Sequence, residues 1–168
     1  MDPFATHLPL LGWALRRAWE LGPILELGCG HYSTPMLHMV CRDRYRLLSA
    51  DSNESWVKQF AYLGVGQHKV EYVPDWAAWD GIEREGRWQV VLLDSAPSES
   101  RAPLLRRLKG RALLVVAHDT EAPHYGMEPE LARWKYRYDY KAQPTWATVV
   151  SDIIDVAQDL AIEGEQLR

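Results

Sequence analysis

Side chains able to do acid–base chemistry recur where apolar runs of this sequence end. Those positions are Glu26, Asp51, Asp75, Asp94 and the pair His118–Asp119. Carboxylates accept hydrogen bonds from hydroxyl and amino groups, and an imidazole titrates near neutral pH. In an open sheet of parallel strands, ligands bind outside the carboxyl ends of the strands. If the apolar runs are such strands, these groups converge on one crevice.

A glycine turn accompanies the first of these acids. Gly28 and Gly30 let the chain turn tightly and approach a ligand closely, but Ser33 stands where a dinucleotide loop has its third glycine. Ser33 or Thr34 is expected to cap a helix whose amides face the ligand, and Pro35 suits its first turn. Asp51 follows Gly30 by 21 residues, the position of a carboxylate that binds ribose hydroxyls.

These groups need a scaffold, and the pattern of the chain predicts one. Strands are predicted at 23–28, 45–51, 68–73, 88–94 and 112–119, with helices at 33–42, 54–64 and 100–110 between them. Continuous Val/Leu runs are typical of strands that are buried on both faces. The prediction is therefore an α/β, Rossmann-like, doubly wound and mostly parallel sheet. Segments 135–141 and 146–152 are expected to add an antiparallel hairpin at its edge.

We expect residues 1–168 to form a single domain, in line with the usual size of domains. Residues 1–22 form an amphipathic helix, with Leu8, Leu11, Leu15, Ala18 and Trp19 at helical spacing, that covers the sheet or acts as a lid. The core is 23–122, residues 123–152 supply the substrate rim and edge strands, and 153–168 form a helix or a tail.

Composition limits the classes of function. No run approaches a membrane span and no signal peptide is recognised, so we expect no membrane partner. The net charge of −4 gives no indication of nucleic-acid binding, and we do not expect nucleic acid as a partner. Cys29 and Cys41 make no disulfide framework, so both are expected to be reduced and the protein to be cytoplasmic.

The ordered motifs resemble a known family. "LELGCG" at 25–30 and "LLSADS" at 47–52 are similar to the first two motifs of class I S-adenosylmethionine-dependent methyltransferases. "GCGHYST", "VVLLDSAPSESR" and "LLVVAHDTE" resemble a subgroup with a Ser-Thr pair in the loop and His-Asp-Thr after the fifth strand. The resemblance covers roughly residues 22–122 and, more loosely, "PTWATVVSD" at 144–152.

The resemblance implies a role for each matching residue. Gly28, Cys29 and Gly30 line the methionine part of the cofactor, and Glu26 orders the loop or meets the amine. The other implied cofactor residues are Ser33 and Thr34 near the carboxylate, Asp51 and Ser52 near the ribose, Asp75 and Trp76 at the adenine, and Asp94. Trp76 is alternatively ordinary packing, with Trp79 a second candidate for stacking on the adenine.

Methyl transfer needs a positioned acceptor and, for some acceptors, a base. Asp94, His118 and Asp119 are the predicted catalytic residues, with His118 either the base or a strand-end histidine bonded to a loop. Asp94 and Asp119 resemble two ligands of metal-dependent catechol-type O-methyltransferases, but Thr120 stands where an Asn is expected. A divalent metal is therefore not favoured, and no metal ligand is assigned.

Arg101, Glu121 and Tyr125 are the predicted substrate residues. Arg101 either forms a salt bridge across the cleft or binds an anionic substrate. The remaining basic residues of that region are read as a solvated helix face, at Arg106, Arg107, Lys109 and Arg111.

The sequence thus predicts a methyltransferase that uses S-adenosylmethionine to methylate an oxygen or nitrogen of a small molecule. One alternative is a methyltransferase-like regulatory module without catalysis of its own. A nicotinamide oxidoreductase is disfavoured by Ser33 and Glu26, and amino-group methylation of nucleic acid by the lack of an aromatic residue after "DSAP". A homo-oligomer is left open.

Overall fold

The computed structural model describes residues 3–18, 22–42, 44–142 and 144–166. Its centre is a seven-stranded sheet of order β3-β2-β1-β4-β5-β7-β6. The strands are β1 (Ile24–Leu27), β2 (Leu47–Asp51), β3 (His68–Tyr72), β4 (Trp88–Leu93), β5 (Ala112–His118), β6 (Tyr136–Tyr140) and β7 (Ala147–Ser151). Strands β1 to β5 are parallel, whereas β7 is antiparallel to β5 and to β6. The predicted fold class, including the antiparallel edge, is confirmed.

Helices connect the strands close to their predicted places. They are α1 (Leu8–Ala18), α2 (Ser33–Cys41), α3 (Glu54–Phe60), α4 (Arg101–Leu108), α5 (Glu128–Leu131) and α6 (Val156–Gln166). Trp19, expected on the apolar face of α1, lies outside the described residues. Within the described ranges, no helix has the length and apolar character needed to cross a membrane.

Each face of the sheet has its own apolar core. In β4, Val90 and Leu92 pack in the cluster formed with α1, α2 and α6, whereas Val91 and Leu93 pack in the cluster formed with α4. This alternation follows from the period of two in a strand. Because a fully buried Leu or Val contributes roughly 1.5–3 kcal/mol, burial on both faces fixes the strand order and register. Helix α1 packs against β4, β5 and β7, as a cover for the sheet does.

The order of the strands reverses between β1 and β4, and there their carboxyl ends meet. The Gly28 amide donates to the Ala50 carbonyl at 2.8 Å, and the Asp94 amide donates to the Leu27 carbonyl at 2.7 Å. Gly28 has φ +102°, and a Cβ there would lie 2.3 Å from the Asp94 carbonyl oxygen. Only glycine fits this close approach.

Helix α2 begins one or two residues earlier than a Ser33 or Thr34 cap implies. Tyr32 occupies the N-cap position without a capping hydrogen bond from its side chain. The Thr34 hydroxyl instead turns back, accepts from the Gly30 amide at 2.9 Å and donates to Glu26 Oε1 at 3.1 Å. The expected cap therefore serves the glycine loop rather than the helix end.

Glu26 is a fully buried acid beneath this loop. Burial raises the pKa of Glu26 to about 7, although nearby hydroxyls of Ser33, Ser49 and Thr34 act in the opposite direction. Burial disfavours the charged carboxylate. Of the two roles expected for Glu26, this position suits ordering of the loop.

We expect Gly28→Ala to lower the free energy of unfolding by about 2–4 kcal/mol, because it combines a positive φ with a backbone clash. Urea denaturation measures the change. Gly86→Ala is the matched control, since a Cβ there meets nothing within 4 Å. Equal effects of the two substitutions would contradict the close approach at Gly28.

We expect Glu26→Gln to change how stability depends on pH. Since the pKa of Glu26 is raised to about 7 from the model-compound value of 4.5, the wild type loses stability as pH rises between these values. The loss amounts to about 3 kcal/mol at 1.36 kcal/mol per pKa unit. Glu26→Gln removes it, so the difference in unfolding free energy, variant minus wild type, should rise between pH 5 and pH 8. A constant difference would contradict the raised pKa.

Candidate functional site

Two adjoining cavities open at the carboxyl ends of the central strands. One of about 480 Å³ is lined by Asp51, Asp94, His118 and Asp119, among others. The other, of about 500 Å³, lies over the glycine loop at Gly30 to Ser33. Both include Phe4, Cys29, Trp56 and Asp94 in their walls, so they form one crevice. Three of the predicted acids thus come together, whereas Glu26 lies below the floor.

Asp51 joins the loop after β1 to the end of β2. Its Oδ2 accepts from the Cys29 amide at 2.8 Å, and its Oδ1 accepts from the Asn53 amide at 2.7 Å. Burial raises the pKa of Asp51, while the two backbone donors oppose this shift. Each carboxylate oxygen has more than one acceptor direction, so Asp51 can still accept from a ligand hydroxyl.

A third cavity, of about 270 Å³, lies at the ends of β2 and β3 and is lined by Ser52, Asp75 and Trp76, among others. The Ser52 hydroxyl and the Trp76 indole both donate to the Ala96 carbonyl, at 2.5 Å and 2.7 Å. Asp75 is exposed and accepts from the Ala77 amide at 2.8 Å. Asp75 therefore lies away from Asp94 and does not join the central crevice.

Trp76 is a wall of the third cavity and also part of the core, where it is 6% exposed. Trp79 packs edge-on against Trp76, with ring centres 5.5 Å apart, and its indole donates to Glu71 at 2.8 Å. The position of Trp76 allows both packing and ligand contact, whereas Trp79 packs against Trp76.

Arg101 occupies the space between the two acids at the ends of β4 and β5. Its guanidinium lies 2.7 Å from Asp94 Oδ1 and 3.1 Å from Asp119 Oδ2. It also donates to the carbonyls of Ser95 and His118, at 2.9 Å and 3.0 Å. Of the two roles expected for Arg101, the structure shows the salt bridge across the cleft. The guanidinium lies between Asp94 and Asp119, the two residues whose positions in the sequence resemble those of metal ligands.

His118 completes the group. Its Nδ1 lies 3.2 Å from Asp94 Oδ2, and its Nε2 lies 2.8 Å from the Thr6 hydroxyl. Burial alone raises the pKa of Asp94, but the hydrogen bond and charge of His118 and the charge of Arg101 reverse this, and the pKa lies below its usual value. Burial lowers the pKa of His118, but Asp94 and Asp119 outweigh it, and the pKa is raised.

Asp119 adopts φ +55°, an uncommon conformation for a non-glycine residue that Asp tolerates better than most. Strained backbone is a frequent property of functional sites. In this backbone conformation the Asp119 carboxylate contacts Arg101 and also lines the crevice.

The predicted substrate residues divide into two groups. Tyr125 lines the crevice and lies under the Arg101 guanidinium, which is 4.6 Å from the ring centre. Glu121 instead accepts from the Trp146 amide at 2.8 Å, which joins the loop after β5 to the start of β7.

Three basic residues in the second half of α4 and at its C-cap are ion-paired rather than only solvated. Arg106 pairs with Glu130 at 2.6 Å, Arg107 with Glu83 at 2.7 Å, and Lys109 with Asp152 at 2.6 Å. Arg107 also lines the third cavity.

Thr6 and His7 also belong to the site, although no sequence pattern indicates them. His7 lies in the wall of the crevice, 2% exposed, with its ring centre 4.7 Å from that of His118. Burial, with a smaller contribution from His118, lowers the pKa of His7 to about 4. A single histidine before an amphipathic helix carries no local signal, and only the packing of α1 on the sheet brings it to the site.

No protein-family model matches the sequence. No curated protein matches it either. Solved structures do match it.

Three of these cover most of the chain at low identity. An rRNA methylase from Streptococcus thermophilus has TM-score 0.63 at 8% identity, covering 86% of this chain and 95% of that one. The METTL16 MTase domain has TM-score 0.62 at 10% identity, covering 89% and 68%. A T. thermophilus 16S rRNA N2 G1207 methyltransferase, in complex with AdoMet and guanosine, has TM-score 0.63 at 13% identity, covering 90% and 43%.

These neighbours correct the expected partners. Two of them are named for rRNA, so the prediction of a small-molecule acceptor, with nucleic acid as an unlikely partner, is wrong. That prediction rested on the lack of an aromatic residue after "DSAP" and on a net charge of −4, which is a property of the whole chain. A whole-chain charge does not describe the local surface around a cleft.

The fold of the chain agrees with that of the solved methyltransferases. Strand order, the antiparallel edge and the glycine turn at the β1/β4 switch point all agree with the family that the motifs resemble. The likeness to solved methyltransferases extends over most of the chain. This chain has the fold of the class I S-adenosylmethionine-dependent methyltransferases.

Proposed function

We propose that the protein is a methyltransferase that uses S-adenosylmethionine to methylate an oxygen or nitrogen atom of its acceptor. The observation that carries the proposal is the crevice at the switch point, where the glycine loop, Asp51 and Asp94 line connected space. Ligands of doubly wound sheets bind in this place.

The cofactor is proposed to lie across the ends of β1, β2 and β3. Gly28, Cys29, Gly30 and Ser33 would hold its methionine part, above the buried layer formed by Glu26 and Thr34. Asp51 would accept from its ribose hydroxyls, because both oxygens of that carboxylate are held in place by backbone amides. Ser52, Asp75 and Trp76, which line the third cavity, would hold its adenine.

The methyl group is then placed near Asp94, which lines both halves of the crevice. Bound there, S-adenosylmethionine would supply an activated methyl group: the acceptor atom would displace the sulfur, and the cationic sulfonium would leave as a neutral thioether. The lowered pKa of Asp94 keeps it negative beside the sulfonium.

The acceptor proton needs a hydrogen-bond acceptor in the same place. We assign this contact to Asp119, which faces the crevice, and a positioning role to His118, because both ring nitrogens of His118 already have protein partners. Arg101 and Tyr125 form the adjoining wall. Since solved enzymes of this fold are named for rRNA, RNA belongs in any acceptor screen.

The extent of the catalytic unit and the cellular compartment are two further parts of the proposal. We propose that residues 1–168 act as one catalytic unit and that the protein works in the reducing cytoplasm. The second is supported by Cys29 and Cys41, which are free and buried.

Asp51→Asn should weaken binding of S-adenosylmethionine and of S-adenosylhomocysteine about 10- to 100-fold, because hydrogen bonds to a charged group contribute about 1.5–3 kcal/mol each. Isothermal titration calorimetry measures the affinity. Asp80→Asn, an exposed acid paired with Arg84, is the control and should bind like the wild type. Absence of cofactor binding by the folded wild type would overturn the proposed function, and unchanged affinity of Asp51→Asn would overturn the ribose assignment.

Asp119→Asn should lower methyl transfer about 100-fold, the scale of acid–base contributions, and leave cofactor affinity within about twofold. Formation of S-adenosylhomocysteine is measured against RNA and against hydroxyl and amino compounds, again with Asp80→Asn as control. Cofactor binding by the wild type without turnover of any acceptor would favour the alternative of a regulatory module. Equal turnover by Asp119→Asn and wild type would remove Asp119 from the mechanism.

A further inference from the structure

His7 is a buried polar side chain that methyl transfer leaves unexplained. It is 2% exposed, and neither Nδ1 nor Nε2 has a hydrogen-bond partner among the residues that the structure describes. Burying a polar group without a partner is unfavourable, and such groups in a folded protein call for a physical explanation. His7 also lies in the wall of the crevice, where a ligand can reach it.

Two other side chains of types that can bind a metal lie close to His7. One ligand atom each from His7, Asp94 and His118 lie within 4.8 Å of one another. Within this group, His118 Nδ1 and Asp94 Oδ2 are 3.2 Å apart. Bonds of about 2.0–2.2 Å to one metal ion hold neighbouring ligand atoms about 3–3.5 Å apart. The pair already has this spacing, and the imidazole of His7 has to approach by about an ångström.

We propose that His7, Asp94 and His118 bind one divalent first-row transition-metal ion such as Zn²⁺. Two imidazoles and one carboxylate suit this class of ion, whereas Mg²⁺ prefers oxygen ligands only. The site differs from the gap between Asp94 and Asp119 that the sequence offered to a metal, because Arg101 fills that gap.

The surrounding contacts match those of metal ligands. The Thr6 hydroxyl lies 2.8 Å from His118 Nε2, so the ring can donate its Nε2 proton to Thr6 and present Nδ1 to the ion. Arg101 holds Asp94 Oδ1 at 2.7 Å and leaves Oδ2 on the side of His118. Hydrogen bonds of this kind orient metal ligands and fix the tautomer of ligating histidines.

Charge and access also favour the ion. With neutral imidazoles, the carboxylates of Asp94 and Asp119 outweigh the Arg101 guanidinium, so the group has a net charge of −1 and attracts a cation. Asp94 lines both halves of the crevice, so a ligand or water can reach an ion bound there. Three protein ligands and an open position are typical of catalytic rather than structural zinc sites.

A second pair of histidines supplies the control. His38 Nδ1 and His68 Nδ1 are 3.1 Å apart, on α2 and β3. No third ligand group completes this pair in the described part of the chain, where His7, Asp94 and His118 form the group that meets the geometric condition.

The test is a titration of the chelator-treated full chain with Co²⁺, followed by visible absorption, and with Zn²⁺, followed by calorimetry. We expect one ion per chain, with cobalt bands that show nitrogen ligation. His7→Ala should weaken binding at least about 10-fold, and His38→Ala should leave it unchanged. His7→Gln, which keeps more of the volume, serves if His7→Ala does not fold.

Three results would overturn the proposal: no binding of either ion by the wild type, equal losses in the His7 and His38 variants, or unchanged binding in the His7 variant. The proposal does not depend on the proposed function, because the readout is metal binding without cofactor or acceptor. Metal binding by a chain that fails to bind S-adenosylmethionine would support the metal site and overturn the methyltransferase.

Discussion

The buried ion pair of Arg101 with Asp94 and Asp119 is the interaction on which the rest of the site depends. Arg101 is 6% exposed, and moving its charge out of water is costly unless every donor finds a partner. It finds two carboxylates and the carbonyls of Ser95 and His118. Because these partners follow β4 and β5, one side chain at the start of α4 fixes the spacing between the two strand ends. Loss of the guanidinium would leave two acids facing each other with less compensation.

That spacing matters because the opposite wall of the crevice is equally constrained. Gly28 lies against the Asp94 carbonyl without room for a Cβ, and the Asp94 amide donates to the Leu27 carbonyl, so close packing and a hydrogen bond join the loop after β1 to the end of β4. Below the loop, Thr34 joins the Gly30 amide to the buried Glu26. The glycine loop therefore contacts the end of β4 on one side and Thr34 and Glu26 below, and its remaining side faces the crevice. A ligand meets a preformed surface there, which lowers the ordering cost of binding.

The same contacts explain what could be predicted from the sequence. Apolar runs that end in acids predicted the central strands, and the parallel arrangement brought Asp51, Asp94 and Asp119 to one crevice. Glu26 has the same local pattern, but its side chain points beneath the loop. Successive side chains of a strand point to opposite faces of the sheet, so a shift of one residue changes the face on which an acid lies. Thr6 was missed because its contact with His118 spans 112 residues and depends on how α1 packs. Long-range contacts leave no periodicity in the segments they join.

The charges of the acids and of Arg101 link the binding of a metal ion to the binding of the cofactor. Asp51, Asp94 and Asp119 line the crevice, and Arg101 offsets one of these charges, so the remaining field attracts cations. A sulfonium and a divalent ion near Asp94 would both gain from it, yet they repel each other at short range. By linkage, each then lowers the affinity for the other by the same factor. The thioether product is neutral and escapes this penalty, so an ion held by His7, Asp94 and His118 would favour product over cofactor. The ion and the cofactor therefore bind in competition for the negative charge of Asp94, although their proposed ligands are mostly different residues.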